Sequence, residues 1–284
     1  MNHVKIIECP RDAMQGIEKF IPTETKIDYL NQLLKCNFDT LDFGSFVSPK
    51  AIPQLRDTDK VYDGLDLSNS KTKLLSIIAN ERGAEQAVSF EQINYLGYPF
   101  SISETFQLRN TNSTIEESWK KLETIQNLAV RNNKMLVVYL SMGFGNPYGD
   151  VWNSDIVTKW SERLHKELGI NILALSDTIG SATPELVSSL FGEVIPALQQ
   201  VEFGAHMHTT PEKVDALLKA AHDSGCIRFD GAIKGFGGCP MAVDELTGNM
   251  PTEMMIDWFE KNKIRTGIEK LEFDKAYEMS SQVF

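Results

Sequence analysis

Cysteine is sparse in this sequence, and its spacing supports no cross-link. The four cysteines, Cys9, Cys36, Cys226 and Cys239, are scattered and include no C-x-x-C pair. Such spacing argues against a disulfide framework and is typical of free thiols in a reducing compartment. We therefore expect a cytoplasmic protein.

Long apolar runs and an excess of basic residues are also missing. No stretch of about 18 apolar residues occurs, so no membrane span is expected, and residues 1–10 lack the cationic start and apolar core of a signal peptide. The formal net charge of −11 argues against a nucleic-acid partner or an anionic membrane surface. A local basic patch remains compatible with an anionic small-molecule substrate.

No low-complexity segment or linker rich in proline, glycine and serine divides the chain. A length of 284 residues fits one α/β barrel or two small domains, and 42% hydrophobic residues are enough for a sizeable core. We predict a single catalytic domain over residues 1–284, with a lid-like loop at 234–249 and a helical C-terminal segment.

Short β-prone runs alternate with longer amphipathic segments along the whole chain. Eight strands are predicted, at Val4–Glu8, Thr40–Phe43, Leu74–Ala79, Phe100–Ser103, Met135–Leu140, Ile172–Ser176, Val201–Ala205 and Ile227–Asp230. The clearest helical patterns are at Thr25–Leu34, Ile115–Asn132, Asp155–Leu168, Pro184–Leu198 and Pro211–Ser224.

Eight strand–helix units predict a (β/α)₈ (TIM) barrel with its active site at the carboxyl ends of the strands. Helix starts are indicated by a capping-box pattern at 113–116 and by Thr183 and Thr210, each followed by a proline. The alternative, an open doubly wound sheet, has no G-x-G-x-x-G after the first strand to support it. The third unit is the weakest, because residues 83–94 leave little room for a helix.

Two strand ends carry candidate metal ligands. Arg11 and Asp12 follow the first strand, where a carboxylate beside a fixed cation can act as a hard oxygen ligand. An ordinary salt-bridged turn is the other interpretation of that pair. His206 and His208 end the seventh strand, where alternation turns both imidazoles to the same side. These are two of only five histidines in the chain, which favours a metal site over a solvated pair.

The segment after the eighth strand is rich in glycine. It reads K-G-F-G-G-C-P at residues 234–240 and leads to Asn249. The glycines allow a hinged loop and a close backbone approach to a ligand. Cys239 has glycine rather than core neighbours, so it is a candidate proton donor or nucleophile. Asp12, two histidines and the Asn249 amide oxygen would suit Mg²⁺ or Mn²⁺ better than Zn²⁺, which indicates metal-assisted chemistry on an oxygenated small molecule.

Six segments stand in order over nearly the whole chain: V-K-I-I-E-C-P-R-D-A-M-Q at 4–15, S-F-V-S-P-K at 45–50, S-E-T-F at 103–106, S-D-T-I-G at 176–180, H-M-H at 206–208 and G-F-G-G-C-P at 235–240. In collinear order they resemble the 3-hydroxy-3-methylglutaryl-CoA (HMG-CoA) lyases of the DRE-TIM metallolyase superfamily, which also includes isopropylmalate and citramalate synthases. S-F-V-S-P-K is the segment most particular to the lyases.

The resemblance implies roles for individual residues. It makes Asp12, His206, His208 and Asn249 the ligands of a divalent metal, Mg²⁺ or Mn²⁺. It implies that Arg11 stabilises the enolate and that Cys239 is the catalytic thiol, with His206 and Asp42 also in the catalytic group. Gln15, Lys50 and Asp177 are the candidate substrate-binding residues, and Lys50 is a candidate for contact with CoA phosphates. The implied partner is an acyl-CoA, and a homodimer or higher homo-oligomer is compatible with the fold.

The chain also departs from the family pattern. Asp42 stands where the family usually has glutamate, which moves the carboxylate back by about 1.5 Å. Thr209 follows the second histidine where an acid is typical, Asn146 replaces a second cysteine, and the stretch from Cys239 to Asn249 is one residue longer. These departures bear on the exact substrate more than on the chemistry. They leave two alternatives open, namely a condensing enzyme of the citramalate-synthase kind and an inactive barrel that acts as a binding protein.

Overall fold

Eight parallel strands close into a barrel in the computed structural model, which describes residues 3–238 and 247–284. Each strand pairs with the next in sequence, and the β1–β8 pairing closes the ring. The strands are β1 (Lys5–Glu8), β2 (Thr40–Ser45), β3 (Lys73–Ile77), β4 (Ile93–Ser101), β5 (Met135–Ser141), β6 (Ile172–Asp177), β7 (Glu202–Thr209) and β8 (Arg228–Gly231). A two-residue strand, β9 (Gly248–Asn249), pairs antiparallel with the end of β7.

Helices surround the barrel and confirm the predicted alternation. They are α1 (Pro10–Gln15), α2 (Thr23–Lys35), α3 (Thr58–Asp63), α4 (Glu81–Val88), α5 (Glu104–Thr111), α6 (Ile115–Arg131), α7 (Ser154–Leu168), α8 (Pro184–Ala197), α9 (Val214–Asp223), α10 (Thr252–Lys261) and α11 (Lys270–Val283). The short third unit is accommodated by the eight residues of α4.

Some predicted boundaries were wrong for identifiable reasons. The fourth strand begins at Ile93, seven residues before the predicted start, because Gly97 and Pro99 interrupt its apolar pattern. The capping box of α6 is formed by Thr114 and Glu117, one residue after the predicted pattern. Thr183 caps α8 as predicted, whereas Thr210 makes no side-chain cap, since Pro211 begins a short 3₁₀ turn before α9.

The apolar residues form two layers. The larger cluster joins the helices to the outer face of the strands. A smaller cluster consists of buried residues of β3 to β6, including Leu75, Tyr139 and Ala174, and forms the apolar part of the barrel interior. This arrangement is the packed core of a TIM barrel, in which bulky side chains leave no pore.

The amino-terminal end of the barrel is closed by charged groups. Arg228 is fully buried, and its guanidinium lies 3.4 Å from Glu202 and 3.9 Å from Asp39. Lys5 pairs with the same glutamate at 2.5 Å, and Lys73 pairs with Asp39 at 3.7 Å. Polar chemistry at this end therefore serves closure of the barrel. Within the described ranges, no helix is both long enough and apolar enough to cross a membrane.

Candidate active site

The carboxyl ends of β1 and β7 bring three predicted ligands together. Asp12 lies in the first turn of α1, directly after β1, and His206 and His208 lie two residues apart on β7. One ligand atom from each residue lies within 4.8 Å of the other two, and the imidazole centroids are 5.4 Å apart. The strand alternation that predicted convergence of the two rings is confirmed.

Asn249 joins this cluster through β9. The ladder places it opposite His208, and its side-chain nitrogen donates to Asp12 Oδ2 at 2.7 Å and to the Phe236 carbonyl at 2.9 Å. The amide oxygen is therefore the atom of this side chain that can serve as a ligand. The antiparallel pairing with β7 is what brings a residue so distant in sequence beside Asp12.

The tautomers of both histidines are fixed by their neighbours. His208 Nδ1 faces the Thr178 carbonyl at 3.1 Å, and a carbonyl can only accept, so Nδ1 carries the proton. His208 Nε2 is then an acceptor, and it is buried without a partner in the described part of the chain. A cation would satisfy this atom, so the site fits a metal.

Asp230 is the group that fixes the tautomer of His206. It lies beside His206 in the β7–β8 register, and its Oδ2 is 3.2 Å from His206 Nδ1. A carboxylate on the second ring nitrogen orients a metal-binding histidine and raises its basicity. The sequence analysis missed Asp230, although its position near the end of β8 is the same signal that identified Asp12.

The protonation states of Asp12 and His208 favour metal binding. Burial raises the pKa of Asp12, but Arg11 and the two histidines outweigh it and bring that pKa to about 2. Burial, together with the charge of His206, lowers the pKa of His208 to about 4. At neutral pH the cluster therefore offers an ionised carboxylate and an imidazole free to bind a metal.

Arg11 is held beside the cluster by two carboxylates. Its Nε and Nη2 donate to Asp42 Oδ2 at 2.9 and 2.5 Å, and its Nη1 donates to Asp12 Oδ1 and Gln15 Oε1, both at 2.9 Å. One oxygen of the short Asp42 side chain accepts both bonds, and its Oδ1 has no partner among the described residues. Burial raises the pKa of Asp42 to about 6, against the opposing effect of Arg11.

A cavity of about 480 Å³ opens over these groups. Its polar floor includes Arg11, Asp12, Gln15 and both histidines. Its walls are largely apolar and come from the loop after β2 and from β3, β4 and α5, with Val47, Ile52, Ile77, Pro99 and Phe106 among them. An apolar pocket with a few convergent polar groups is the usual form of a small-molecule site.

Lys50 and Asp177 lie apart from this floor. Lys50 is exposed beside Val47 and Ala51, which line the cavity. Asp177 is buried and accepts backbone N–H groups of Ser181 and Ala182, so its carboxylate shapes the loop after β6 and is not part of the cavity lining. Cys239 lies outside the described residues.

These features define the class of protein as a (β/α)₈-barrel enzyme with an oxygen- and nitrogen-donor cluster at its strand ends. The HMGL-like family model matches residues 3–280. A hydroxymethylglutaryl-CoA lyase of Bacillus subtilis is 35% identical over 263 residues, which are 93% of this chain and 86% of that protein. The human cytoplasmic 3-hydroxy-3-methylglutaryl-CoA lyase is 31% identical over 93% of this chain and 71% of its own length. The chain belongs to the HMGL-like family, as a member of its HMG-CoA lyase group.

Solved structures of HMG-CoA lyases have the same fold. The Brucella melitensis enzyme is 28% identical, with a TM-score of 0.92 over 99% of each chain. An Acinetobacter baumannii enzyme, solved with coenzyme A and 3-methylmalate, is 30% identical, with a TM-score of 0.90 over 99% of this chain and 91% of that one. The predicted fold and family are therefore confirmed, and the roles of individual site residues stay predictions.

Proposed function

We propose that this protein cleaves 3-hydroxy-3-methylglutaryl-CoA, or a close 3-hydroxyacyl-CoA, to acetyl-CoA and acetoacetate. The observation that supports this proposal most directly is the convergence of Asp12, His206 and His208 beside Arg11 on the floor of an apolar-walled cavity. The relatives named as HMG-CoA lyases match nearly the whole chain, which supports the same reaction here.

Mg²⁺ or Mn²⁺ is the cation that the donors of this site favour. Asp12, His206, His208 and Asn249 supply oxygen and nitrogen donors, and no thiolate is among these four. A bound divalent cation supplies Lewis acidity, which makes a tertiary hydroxyl of the substrate easier to deprotonate. The unpaired Nε2 of His208 supports this assignment.

Arg11 is proposed to stabilise the charge that develops on the substrate. When the hydroxyl loses its proton and the carbon–carbon bond breaks, the electron pair moves into the thioester and forms an enolate. Arg11 lines the cavity and is already fixed by Asp42 and Asp12, so little reorganisation is needed as that charge forms. Gln15 accepts a hydrogen bond from Arg11 and donates one to Asp12, which fixes the positions of these two side chains relative to each other.

Protonation of the enolate completes the reaction. Cys239 is proposed as the proton donor on the strength of the family resemblance. His206, beside the cavity and oriented by Asp230, is proposed to assist loss of the hydroxyl proton as one of the residues that would hold the cation. The apolar walls suit the methyl and acyl carbons of the substrate. Exposed Lys50, next to Val47, is proposed to meet a phosphate of CoA.

The test is formation of acetyl-CoA from HMG-CoA by the purified protein. Activity should require Mg²⁺ or Mn²⁺, disappear with EDTA and return when metal is restored. Arg11→Lys keeps the charge but loses the two-pronged bond to Asp42, and it should lower kcat with little effect on metal affinity. Cys239→Ala should lower kcat and leave metal binding unchanged.

The other two interpretations predict different results. A condensing enzyme would consume acetyl-CoA in the presence of a 2-oxoacid and leave HMG-CoA intact. A binding protein would bind the acyl-CoA without turnover and without any need for metal. Metal binding with no cleavage of HMG-CoA would reject this substrate and leave other 3-hydroxyacyl-CoA esters to be tested.

A further inference from the structure

A second group of ligand atoms adjoins the cluster of Asp12, His206 and His208, which we call the Asp12 cluster. Cys9 follows β1, Asp230 lies on the neighbouring β8, and His206 faces both from β7. One ligand atom of each lies within 4.8 Å of the other two. We call these three residues the Cys9 cluster. It shares His206 with the proposed Mg²⁺ or Mn²⁺ centre but contributes a sulfur donor that the centre lacks.

Atoms of the Cys9 cluster are poorly satisfied. Asp230 is buried, and its Oδ1 has no hydrogen-bond partner among residues 3–238 and 247–284. Within the described part of the chain, the buried Cys9 thiol has only a long contact, 3.9 Å, with the Ile7 carbonyl. Asp42 Oδ1, also buried, lacks a partner in the same described ranges. Buried polar atoms without partners are rare and point to an additional ligand such as water or an ion.

Charge around the cluster favours a cation. Asp12, Asp42 and Asp230 are buried close to the thiol, and Arg11 faces it with them. Buried Arg228 also interacts with Asp230. Three carboxylates against two guanidinium groups leave an excess of one negative charge in a site of low polarity, and a divalent cation would offset it.

The donor types select the kind of metal. Thiolate, imidazole and carboxylate together suit soft or borderline ions such as Zn²⁺, whereas Mg²⁺ avoids sulfur. We propose that Cys9, Asp230 and Nδ1 of His206 form a binding site for a thiophilic divalent cation, and that occupation of this site excludes the Mg²⁺ or Mn²⁺ centre.

The exclusion follows from the chemistry of one imidazole. A neutral ring has a single nitrogen lone pair, and Asp230 at present keeps the proton on Nδ1, so that Nε2 is the acceptor. When a thiophilic ion binds, Cys9 releases its thiol proton to solvent, and the ring proton moves from Nδ1 to Nε2. His206 can then no longer act as a ligand to the proposed Mg²⁺ or Mn²⁺ centre. Binding stands on the geometry alone, whereas exclusion rests on the proposed function.

Cobalt(II) is a probe for the first half of the proposal. A thiolate bound to Co²⁺ gives a sulfur-to-metal charge-transfer band in the near ultraviolet, and this band should saturate with the wild-type protein. It should be absent in Cys9→Ala and Cys9→Ser, whose far-ultraviolet circular dichroism reports that they fold. Cys226→Ala, which removes another buried thiol, should retain the band. Cobalt bound without the band, or a band that survives in both Cys9 variants, would overturn the proposed site.

Release of Mn²⁺ tests whether a cation in the Cys9 cluster excludes the Mg²⁺ or Mn²⁺ centre. Bound Mn²⁺ is followed by electron paramagnetic resonance while Zn²⁺ is added. Zn²⁺ should release Mn²⁺ from the wild type at a concentration about tenfold or more below that needed for Cys9→Ala. Equal release from both proteins would overturn the exclusion and leave the Cys9-dependent band intact. Failure of Mn²⁺ to bind at all would contradict the proposed Mg²⁺ or Mn²⁺ centre. The charge-transfer band would still test metal binding by the Cys9 cluster.

Discussion

Replacement of Asp230 should show how much its carboxylate contributes to metal binding by His206. Its Oδ2 lies 3.2 Å from His206 Nδ1. Asp230→Asn keeps an acceptor but removes the negative charge that makes the imidazole a better donor. We expect Mn²⁺ affinity, measured by calorimetry, to fall about 10- to 100-fold.

Asp177→Asn is the matched control for this prediction. Asp177 is another buried aspartate at the same end of the barrel, but its carboxylate accepts from Ser181 and Ala182 and, among the described residues, makes no hydrogen bond to a proposed ligand. Its replacement should leave Mn²⁺ affinity within about twofold of the wild-type value. Equal affinities for the Asp230 variant and the wild type would show that the carboxylate does not tune His206.

At this scale the sequence predicted which candidate ligands converge, but not the groups that orient them. Asp12, His206 and His208 are identified by position at strand ends together with their side-chain chemistry. The partner of His206 depends on the β7–β8 register, and the partner of His208 is the backbone carbonyl of Thr178. A backbone carbonyl carries no side-chain signature, so sequence reasoning had no means of finding it.

At the scale of elements, Glu8 joins three parts of the barrel. It ends β1, and its carboxyl group accepts from the Ile233 N–H at 2.9 Å and from the Thr252 hydroxyl at the start of α10 at 2.5 Å. Burial raises the pKa of Glu8 to about 8 from 4.5. Between these values the folded protein keeps a proton that the unfolded chain has released. This contribution to stability is therefore complete below pH 4.5 and is lost as pH rises through 8.

Glu8→Gln should remove this pH dependence, because an amide does not titrate. The free energy of unfolding of the wild type, minus that of the variant, should fall by about 1.4 kcal/mol per pH unit across that window. Urea denaturation at a series of pH values measures it. Glu18→Gln, at an exposed position, should show no such slope in its difference from the wild type. A constant difference for Glu8→Gln would mean that Glu8 is ionised in the folded protein.

The loop after β8 depends on Gly237 for a close approach. Gly237 has a φ of +82°, and a Cβ atom there would lie 2.7 Å from both the Ala13 Cα and the Asp12 carbonyl oxygen. Gly237→Ala should therefore push the loop away from α1, weaken Mn²⁺ binding and lower stability by more than the roughly 1–2 kcal/mol of left-handed strain alone.

Gly149→Ala isolates that strain. Gly149 has a similar φ of +79°, but no atom lies within 4 Å of the position that a Cβ atom would take there. Its variant should lose stability by the strain alone and keep wild-type Mn²⁺ affinity. If the two variants bind Mn²⁺ equally well, contact between the loop and α1 is not needed for the site.

Elements were predictable where periodicity is unbroken. The helices α6, α7 and α8 match their predicted ranges within a residue or two, because long amphipathic repeats and Thr or Asn caps define them. The start of β4 was missed because Gly97 and Pro99, which are unusual in strands, interrupt the apolar pattern of this barrel strand. β9 was also missed, since two residues carry no periodicity, yet it places Asn249 beside His208.

At the scale of the whole molecule, the two ends of the barrel have separate tasks. Arg228 closes the amino-terminal end through Glu202 and Asp39, whereas the Asp12 cluster lies at the carboxyl ends of the strands. In TIM barrels the first kind of end serves stability and the second serves function. Arg228→Met should therefore lower the free energy of unfolding by about 1–3 kcal/mol, because Glu202 and Asp39 lose a buried partner but are themselves partly exposed. It should not weaken Mn²⁺ binding, since it removes a positive charge.

Two further variants make this separation measurable. Lys73→Met removes a cation from the same end, but Lys73 is partly exposed and pairs with Asp39 only at 3.7 Å, so it should cost at most about 1 kcal/mol. Asp12→Asn should do the reverse of Arg228→Met, with Mn²⁺ binding lost and stability affected less. Urea denaturation and Mn²⁺ titration of all three proteins decide the matter. Lower Mn²⁺ affinity in Arg228→Met would mean that closure of the barrel at one end sets the geometry of the cluster at the other. β7 carries Glu202 as well as His206 and His208, and β8 carries Arg228 as well as Asp230, the partner of His206.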